Sequence, residues 1–133
     1  MAKNQYILSL NEIGQSIWYD NLSRDVLGSG ELQTLIDSGV SGLTSNPTIF
    51  KAAIADSADY DEEMRKPTLS ALSNDDLCEE LMIQDVARAA DLLKGIYAET
   101  NGGDGYASIE VSPLLAAETA ETIEAGKRIW KKL

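Results

Sequence analysis

The sequence contains a single cysteine, Cys78, and no histidine in 133 residues. A lone cysteine cannot form an internal disulfide, and it excludes the metal sites that are built from several cysteine ligands. Such sparse cysteine is typical of proteins in a reducing compartment. We therefore expect a cytoplasmic protein without a metal site of this kind.

Basic residues are also scarce. Lysine and arginine number 11 against 22 aspartate and glutamate residues, so the formal net charge is −11, and no histidine offsets it. The electrostatic field of a negatively charged protein repels polyanions, which argues against nucleic acid and anionic membranes as partners. It also disfavours a phosphorylated substrate, unless cationic groups are clustered at the site or supplied from outside this chain.

Long apolar runs are missing from residues 1–12, because asparagine, glutamine and glutamate interrupt them. We therefore expect neither a signal peptide nor a membrane span in this stretch. The hydrophobic fraction of 44% is ordinary for a globular protein, and the length suits one domain with a real core. We predict a single segment over residues 1–133.

Hydrophobic periodicity predicts a series of helices. The clearest begins at Ser73, where Asp76 stands three residues on in a capping-box pattern, and it ends at the glycine-rich turn 101–105. Others are predicted at 3–15, at 29–39 with Ser29 as the N-cap and Gly39 as the C-cap, and from Ser112-Pro113 onwards. Residues 47–72 are predicted to form a loop with one short helix.

Three strands are predicted between these helices, at residues 16–21, from Gly42 to the proline at position 47, and at residues 106–111. Strands that alternate with helices are typical of parallel βα units. The expected fold class is therefore α/β, with a leading helix followed by three strand-helix units.

Polar side chains stand at the ends of the predicted strands. Thr44, Ser45 and Asn46 follow an apolar entry, and a site that binds a polyol needs short donors and acceptors on rigid backbone. Alternation along a strand places Glu110 opposite the apolar face that includes Ile109, so Glu110 would face the interior of a closed parallel barrel. The same alternation puts Asp20 on one face with Trp18. Two inward carboxylates near one rim suit a proton donor and acceptor pair.

Each of these residues also has a purely structural interpretation. Asp20 is equally suited to capping the next helix, and Thr44 to Asn46 to satisfying backbone groups around the following proline. Glu110 is costly to bury without a partner, which favours a function. A two-carboxylate glycosidase would need Asp20 and Glu110 roughly 5 to 9.5 Å apart, and nothing else supports it. A second acidic cluster is interpreted as a solvated face without a role, formed by Asp59, Asp61, Glu62 and Glu63.

Three stretches together resemble the N-terminal part of transaldolase, in its longer subgroup. They are residues 14–24, GQSIWYDNLSR, residues 42–50, GLTSNPTIF, and residues 104–113, DGYASIEVSP. The resemblance implies a (β/α)8 TIM barrel, of which this chain would supply the first three βα units preceded by an N-terminal helix. It also implies transfer of a dihydroxyacetone unit between sugar phosphates in the pentose phosphate pathway, through a Schiff base on a lysine and without a cofactor.

The resemblance also implies roles for four residues. Asp20 would relay a proton, Glu110 would hold a catalytic water and assist proton transfer, and Thr44 and Asn46 would contact the substrate. None of the seven lysines sits inside an apolar strand, where desolvation would favour the neutral amine that attacks a carbonyl. The sequence thus lacks the family's Schiff-base lysine strand, which predicts that the isolated chain is inactive.

A barrel of this type takes about 250 residues, so 133 residues account for only part of one. We therefore expect a fragment or a truncated relative whose open sheet edges self-associate or pair with the missing portion of the barrel. An alternative from a different class is a truncated, non-catalytic interaction or assembly module, in which the polar strand ends are remnants.

Overall fold

A computed structural model describes residues 4–133. Its centre is a parallel three-stranded sheet in the order β1-β2-β3, with β1 at Trp18–Tyr19, β2 at Gly42–Thr44 and β3 at Ala107–Ser108. Helices connect each strand to the next, which confirms the predicted α/β class and is consistent with a partial TIM barrel. The strands are shorter than predicted, because regular backbone pairing covers only two or three residues of each predicted strand.

The helices before β2 differ in detail from the prediction. The first, α1, covers Gln5–Glu12 within the predicted 3–15, of which position 3 lies outside the described residues. A short helix that the sequence pattern did not reveal, α2, covers Arg24–Gly28. It is followed by α3 at Glu31–Ser38, whose N-cap is Gly30 rather than the predicted Ser29. The predicted C-cap is confirmed, since Gly39 has a φ of 117°, which suits glycine.

The prediction of a loop with one short helix over residues 47–72 is wrong. This region contains three helices, α4 at Pro47–Asp56, α5 at Asp61–Met64 and α6 at Pro67–Ser70, together with a 3-10 turn at Ala58–Tyr60. Both prolines lie in the first turn of a helix, where the missing N–H costs nothing. Most of these segments are too short to show a helical period. The helices α4 and α6 and the 3-10 turn each bury one large side chain, and α5 buries none.

The long helix predicted from Ser73 is confirmed as α7, which covers Asn74–Glu99. The hydroxyl of Ser73 accepts a hydrogen bond from the amide of Asp76 at 3.2 Å, as the capping-box pattern requires. This helix packs across one face of the sheet and forms the centre of the core. The fully buried side chains at this contact are Leu43, Leu81, Val86, Ala89 and Leu93.

The last helix begins later than predicted. Ser112 does cap a turn, but this is only a 3-10 turn at Pro113–Leu115, and the helix α8 starts at Thr119 and ends at Trp130. The turn does not continue as a helix, and Leu114 is left 83% exposed. Within residues 4–133, no helix combines the length and the apolar composition that crossing a membrane requires.

Candidate functional site

The open face of the sheet carries two of the four polar site residues that the sequence predicted, Asp20 and Thr44. Trp18 pairs with Gly42 across β1 and β2, and Thr44 pairs with Ser108 across β2 and β3. These residues point away from the core, whereas Leu43 on the opposite face is fully buried under α7. The predicted apolar face of β3 is confirmed at its centre, since Ala107 and Ile109 pack against the core.

Asp20 and Thr44 meet on this open face. Asp20 directly follows β1, and extending the strand register by one residue places it opposite Thr44. The hydroxyl of Thr44 donates a hydrogen bond to the carboxylate of Asp20. The structure therefore brings together two of the four predicted site residues, from strands 24 positions apart in sequence.

Asn46 has a structural role in this chain. Its side-chain oxygen accepts hydrogen bonds from the amides of Thr48 at 2.9 Å and Ile49 at 3.3 Å, which makes it the N-cap of α4. Its neighbour Ser45 is buried, and its hydroxyl donates to the carbonyl oxygen of Ser108 at 3.0 Å. The amide side chain thus fixes the end of β2, and its predicted contact with substrate stays a prediction.

Glu110 lies beyond the end of β3 and is exposed. It lines a cavity of about 190 Å³, together with Lys51, Glu79 and Arg128. Among the described residues, no hydrogen bond joins Glu110 to Asp20 or Thr44. The expectation of a costly buried carboxylate is wrong for this chain, because the side chain of Glu110 is exposed to solvent.

A tryptophan contact on the open face was not predicted from the sequence. The indole of Trp18 lies against Gly42, and its Nε1 donates a hydrogen bond to Asp104 at 3.1 Å. Asp104 also accepts from the amide of Gly105 at 3.0 Å. The signal available in the sequence was the glycine at position 42, directly opposite a large aromatic side chain once the strands are paired.

These contacts control the ionisation of Asp104. Burial alone would raise the pKa of Asp104, but hydrogen bonds from Ser16, Ser41, the Gly105 amide and the Trp18 indole outweigh it, so the pKa is held below its usual value. A carboxylate with a lowered folded-state pKa stabilises the fold above its unfolded pKa, about 3.9 for aspartate, and loses this contribution as the pH falls.

We therefore expect the free energy of unfolding to fall with decreasing pH below about 4, and Asp104→Asn to reduce this dependence. Urea denaturation at several pH values, followed by tryptophan fluorescence, measures the slope. Asp59→Asn makes the same charge change on an exposed side chain and serves as the reference. Equal slopes for the two variants would show that Asp104 does not contribute.

A buried polar network holds the segment after Asp20. Asp85 on α7 has no exposed surface and accepts from the Arg24 guanidinium at 3.1 Å and from the Tyr60 hydroxyl at 3.0 Å. The guanidinium also donates to Glu63 at 3.0 Å and to Gln84 at 3.2 Å. Glu63 therefore has a partner and a structural role, which corrects the prediction that the acidic cluster 59–63 has none.

The network shifts the ionisation of its members. Burial opposes the charge of Arg24, but the carboxylates of Asp85 and Glu63 outweigh it and raise the pKa of Arg24. Burial, reinforced by Asp85, raises the pKa of Tyr60. Burial also raises the pKa of Asp85, against the opposing effect of Arg24 and the Tyr60 hydroxyl. The network fixes α2 against α7, and thereby the loop that leads from Asp20 into α2.

Within the described residues, no group of three potential ligand side chains is placed to hold a metal ion. The single thiol, Cys78, is buried in the core, and this burial raises its pKa. The polar groups that the open face presents are the carboxylate of Asp20 and the hydroxyls of Thr44 and Ser108.

Comparison with known proteins gives a consistent result. The family model described as Transaldolase/Fructose-6-phosphate aldolase matches residues 17–133. Transaldolase 2 of Nostoc sp. is 42% identical over 134 residues, which cover 100% of this chain and 35% of the relative. The transaldolase of Saccharopolyspora erythraea is 43% identical and covers 98% of this chain and 36% of the relative. The chain thus spans about a third of the length of the curated relatives it matches. It belongs to the transaldolase/fructose-6-phosphate aldolase family.

Proposed function

We propose that this chain supplies the acidic and hydroxyl-bearing part of a site that moves a dihydroxyacetone unit between sugar phosphates through a Schiff base. The observation that carries the proposal is the hydrogen bond between Thr44 and Asp20 on the open face of the sheet. Both residues lie in stretches covered by the family model. Transfer between sugar phosphates is cytoplasmic metabolism, so the proposed location is the cytoplasm.

The geometry suits the proposed roles. Thr44 donates to one oxygen of Asp20, which orients the carboxylate and leaves it open on the exposed face to exchange a proton with a substrate hydroxyl. We propose that Glu110, which follows the neighbouring strand and is exposed, holds a water there. The side-chain oxygen of Asn46 caps α4, so the proposed contact of Asn46 with the substrate is made by its amide nitrogen.

The lysines support the proposal that this chain does not form the Schiff base alone. Lys3 lies outside the described residues, and the other lysines are exposed and lie on helices or in the segments that follow helices. An exposed amine has no desolvation to favour its neutral, nucleophilic form. Lys51 is further disfavoured, since its hydrogen bond to Asp75 at 2.7 Å raises the pKa of Lys51.

Borohydride reduction in the presence of fructose 6-phosphate tests this proposal, because it converts a Schiff base into a stable adduct. We expect no adduct on the 133-residue chain by intact mass spectrometry. A chimera in which this chain replaces the matching third of the Nostoc relative is the positive control, and we expect one adduct on it. An adduct on a lysine of the isolated chain would show that the catalytic amine lies within it.

A second candidate function, assembly, is favoured by the outer edge of β3. A groove of about 150 Å³ runs beside this edge and is lined by Ile109, Val111, Gly126, Ile129, Trp130 and Leu133. The sheet ends at β3 among the described residues, and Trp130 is 80% exposed. An unpaired strand beside exposed apolar side chains favours pairing with a further strand.

We therefore propose that this edge self-associates or pairs with the portion of a barrel that the relatives possess. Light scattering of the isolated chain is expected to give a mass above that of a monomer, and Trp130→Lys is expected to lower it. Glu121→Lys, which makes a charge change on the exposed surface of the same helix, is the control. A monomer at all concentrations would contradict the self-association of this edge.

A further inference from the structure

An aromatic ring lies on the open face beneath the pair formed by Asp20 and Thr44. Trp18 lies on β1, two residues before Asp20. Its indole covers Gly42, which lies on β2 two residues before Thr44. A Cβ at position 42 would lie 2.4 Å from Cε2 of the indole, so this ring can rest on the strand only because residue 42 is glycine. One face of the indole therefore lies on the backbone, and the side chain remains 38% exposed.

The orientation of the indole is fixed by a polar contact at its edge. Nε1 donates to the Asp104 carboxylate at 3.1 Å, and the amide of Gly105 holds the same oxygen at 3.0 Å. Asp104 lies just before β3, so the ring is anchored across all three strands. A ring held by backbone on one face and by a carboxylate at its edge is pre-organised for binding on its open face.

The open face thus has two chemically different parts in a fixed relation. The indole provides a flat apolar surface, and Asp20, Thr44 and Ser108 provide a row of oxygen atoms toward the carboxyl ends of the strands. A polyhydroxylated carbon chain has the same two-sided character, with C–H groups on one side and hydroxyls on the other. Phosphate alone, which has no C–H groups, gains nothing from the indole.

We propose that Trp18 is a substrate-contacting residue whose exposed indole face packs against the C–H groups of the sugar carbon chain while Asp20 and Thr44 bind its hydroxyls. This inference rests on the proposed function and adds to it the surface that selects a polyol. The competing interpretation is that the indole only fills space beneath the site.

Nuclear magnetic resonance of the ¹⁵N-labelled 133-residue chain, titrated with fructose 6-phosphate at millimolar concentrations, tests the proposal. The chain has two tryptophans, and Trp130 on α8, which is 80% exposed, is a built-in control. The indole N–H of Trp18 and the amide of Thr44 are expected to shift along one binding curve, whereas the indole N–H of Trp130 stays unchanged. Inorganic phosphate at the same concentrations is expected to leave Trp18 unmoved.

Gly42→Ala displaces the indole without removing it, and it is expected to weaken binding about three- to tenfold, the range of an aromatic packing contact. Gly95→Ala in α7 is the matched control, because a Cβ there meets nothing within 4 Å. If Gly42→Ala does not fold, Trp18→Leu removes the ring with the same expected weakening.

The outcomes separate this inference from the proposed function. A shift of Thr44 without a shift of the Trp18 indole would overturn the inference and leave the proposed function standing, as would unchanged binding by Gly42→Ala or Trp18→Leu. Equal shifts with inorganic phosphate, or equal shifts of both indoles, would also overturn it. If neither Thr44 nor Trp18 responds, sugar binding by this face is refuted, and the inference fails with it.

Discussion

Replacing Asp85 with alanine is expected to lower the free energy of unfolding by about 3–5 kcal/mol, the range for breaking a buried ion pair by removing one partner. Asp85 is fully buried and accepts hydrogen bonds from both Arg24 and Tyr60. Its loss leaves the guanidinium of Arg24, whose side chain is only 14% exposed, with Glu63 as its remaining close carboxylate partner. Urea denaturation measures the change directly.

Asp91→Ala on the same helix is the matched control. Asp91 is 65% exposed and pairs with Lys94 on the surface, so its replacement is expected to cost about 0.5 kcal/mol or less. The double replacement Arg24→Met with Asp85→Leu removes both charges, and it is expected to recover much of the loss. A cost for Asp85→Ala no larger than that for Asp91→Ala would show that the network does not hold α2 to α7.

Parts of the fold that depend on local pattern could be predicted from the sequence. The helix α7 has a capping box and apolar residues at helical spacing over its whole length, so local signals and packing agree. Residues 47–72 could not be predicted in the same way. Their helices are short, and they are stabilised by single side chains such as Phe50, Tyr60 and Leu69, which are buried by distant partners. Tertiary contacts determine the structure of such segments, and these contacts cannot be recognised from the local periodicity of the sequence.

In the candidate site, too, features set by local pattern could be predicted, and contacts between distant residues could not. Alternation along β1 predicted that Asp20 lies on the same face as Trp18, because the period of a strand is local. The partners of Trp18 and Arg24 lie 86 and 61 positions away in the sequence, at Asp104 and Asp85. No local pattern links such residues, so these contacts emerge only when the strands and helices are packed.

The exposure of the carboxylates could not be predicted either. A carboxylate among apolar strand residues suggested burial at Glu110, but this residue lies beyond the end of β3 and is exposed. Asp20 lies on the open side of the sheet, whereas Glu110 follows β3 and lines a cavity beside α4, α7 and α8, and both side chains are exposed. Burial depends on what covers a face, and the alternation of residues along a strand reports only which face a side chain occupies.

Asp20→Asn is expected to lower kcat by about 100-fold or more in the chimera with the Nostoc relative, because it removes the carboxylate proposed to relay a proton. The amide still accepts a hydrogen bond from Thr44, so the local geometry is retained. Asp25→Asn, an exposed aspartate in the first turn of α2, makes the same chemical change nearby and is expected to leave kcat close to that of the unaltered chimera.

The turnover of this chimera, with fructose 6-phosphate as donor, is the most direct test of whether the open face of this sheet forms the acid-base side of the site. We expect an active chimera that loses about 100-fold or more of its kcat on Asp20→Asn and keeps it on Asp25→Asn. An active chimera with the same kcat for both variants would contradict it.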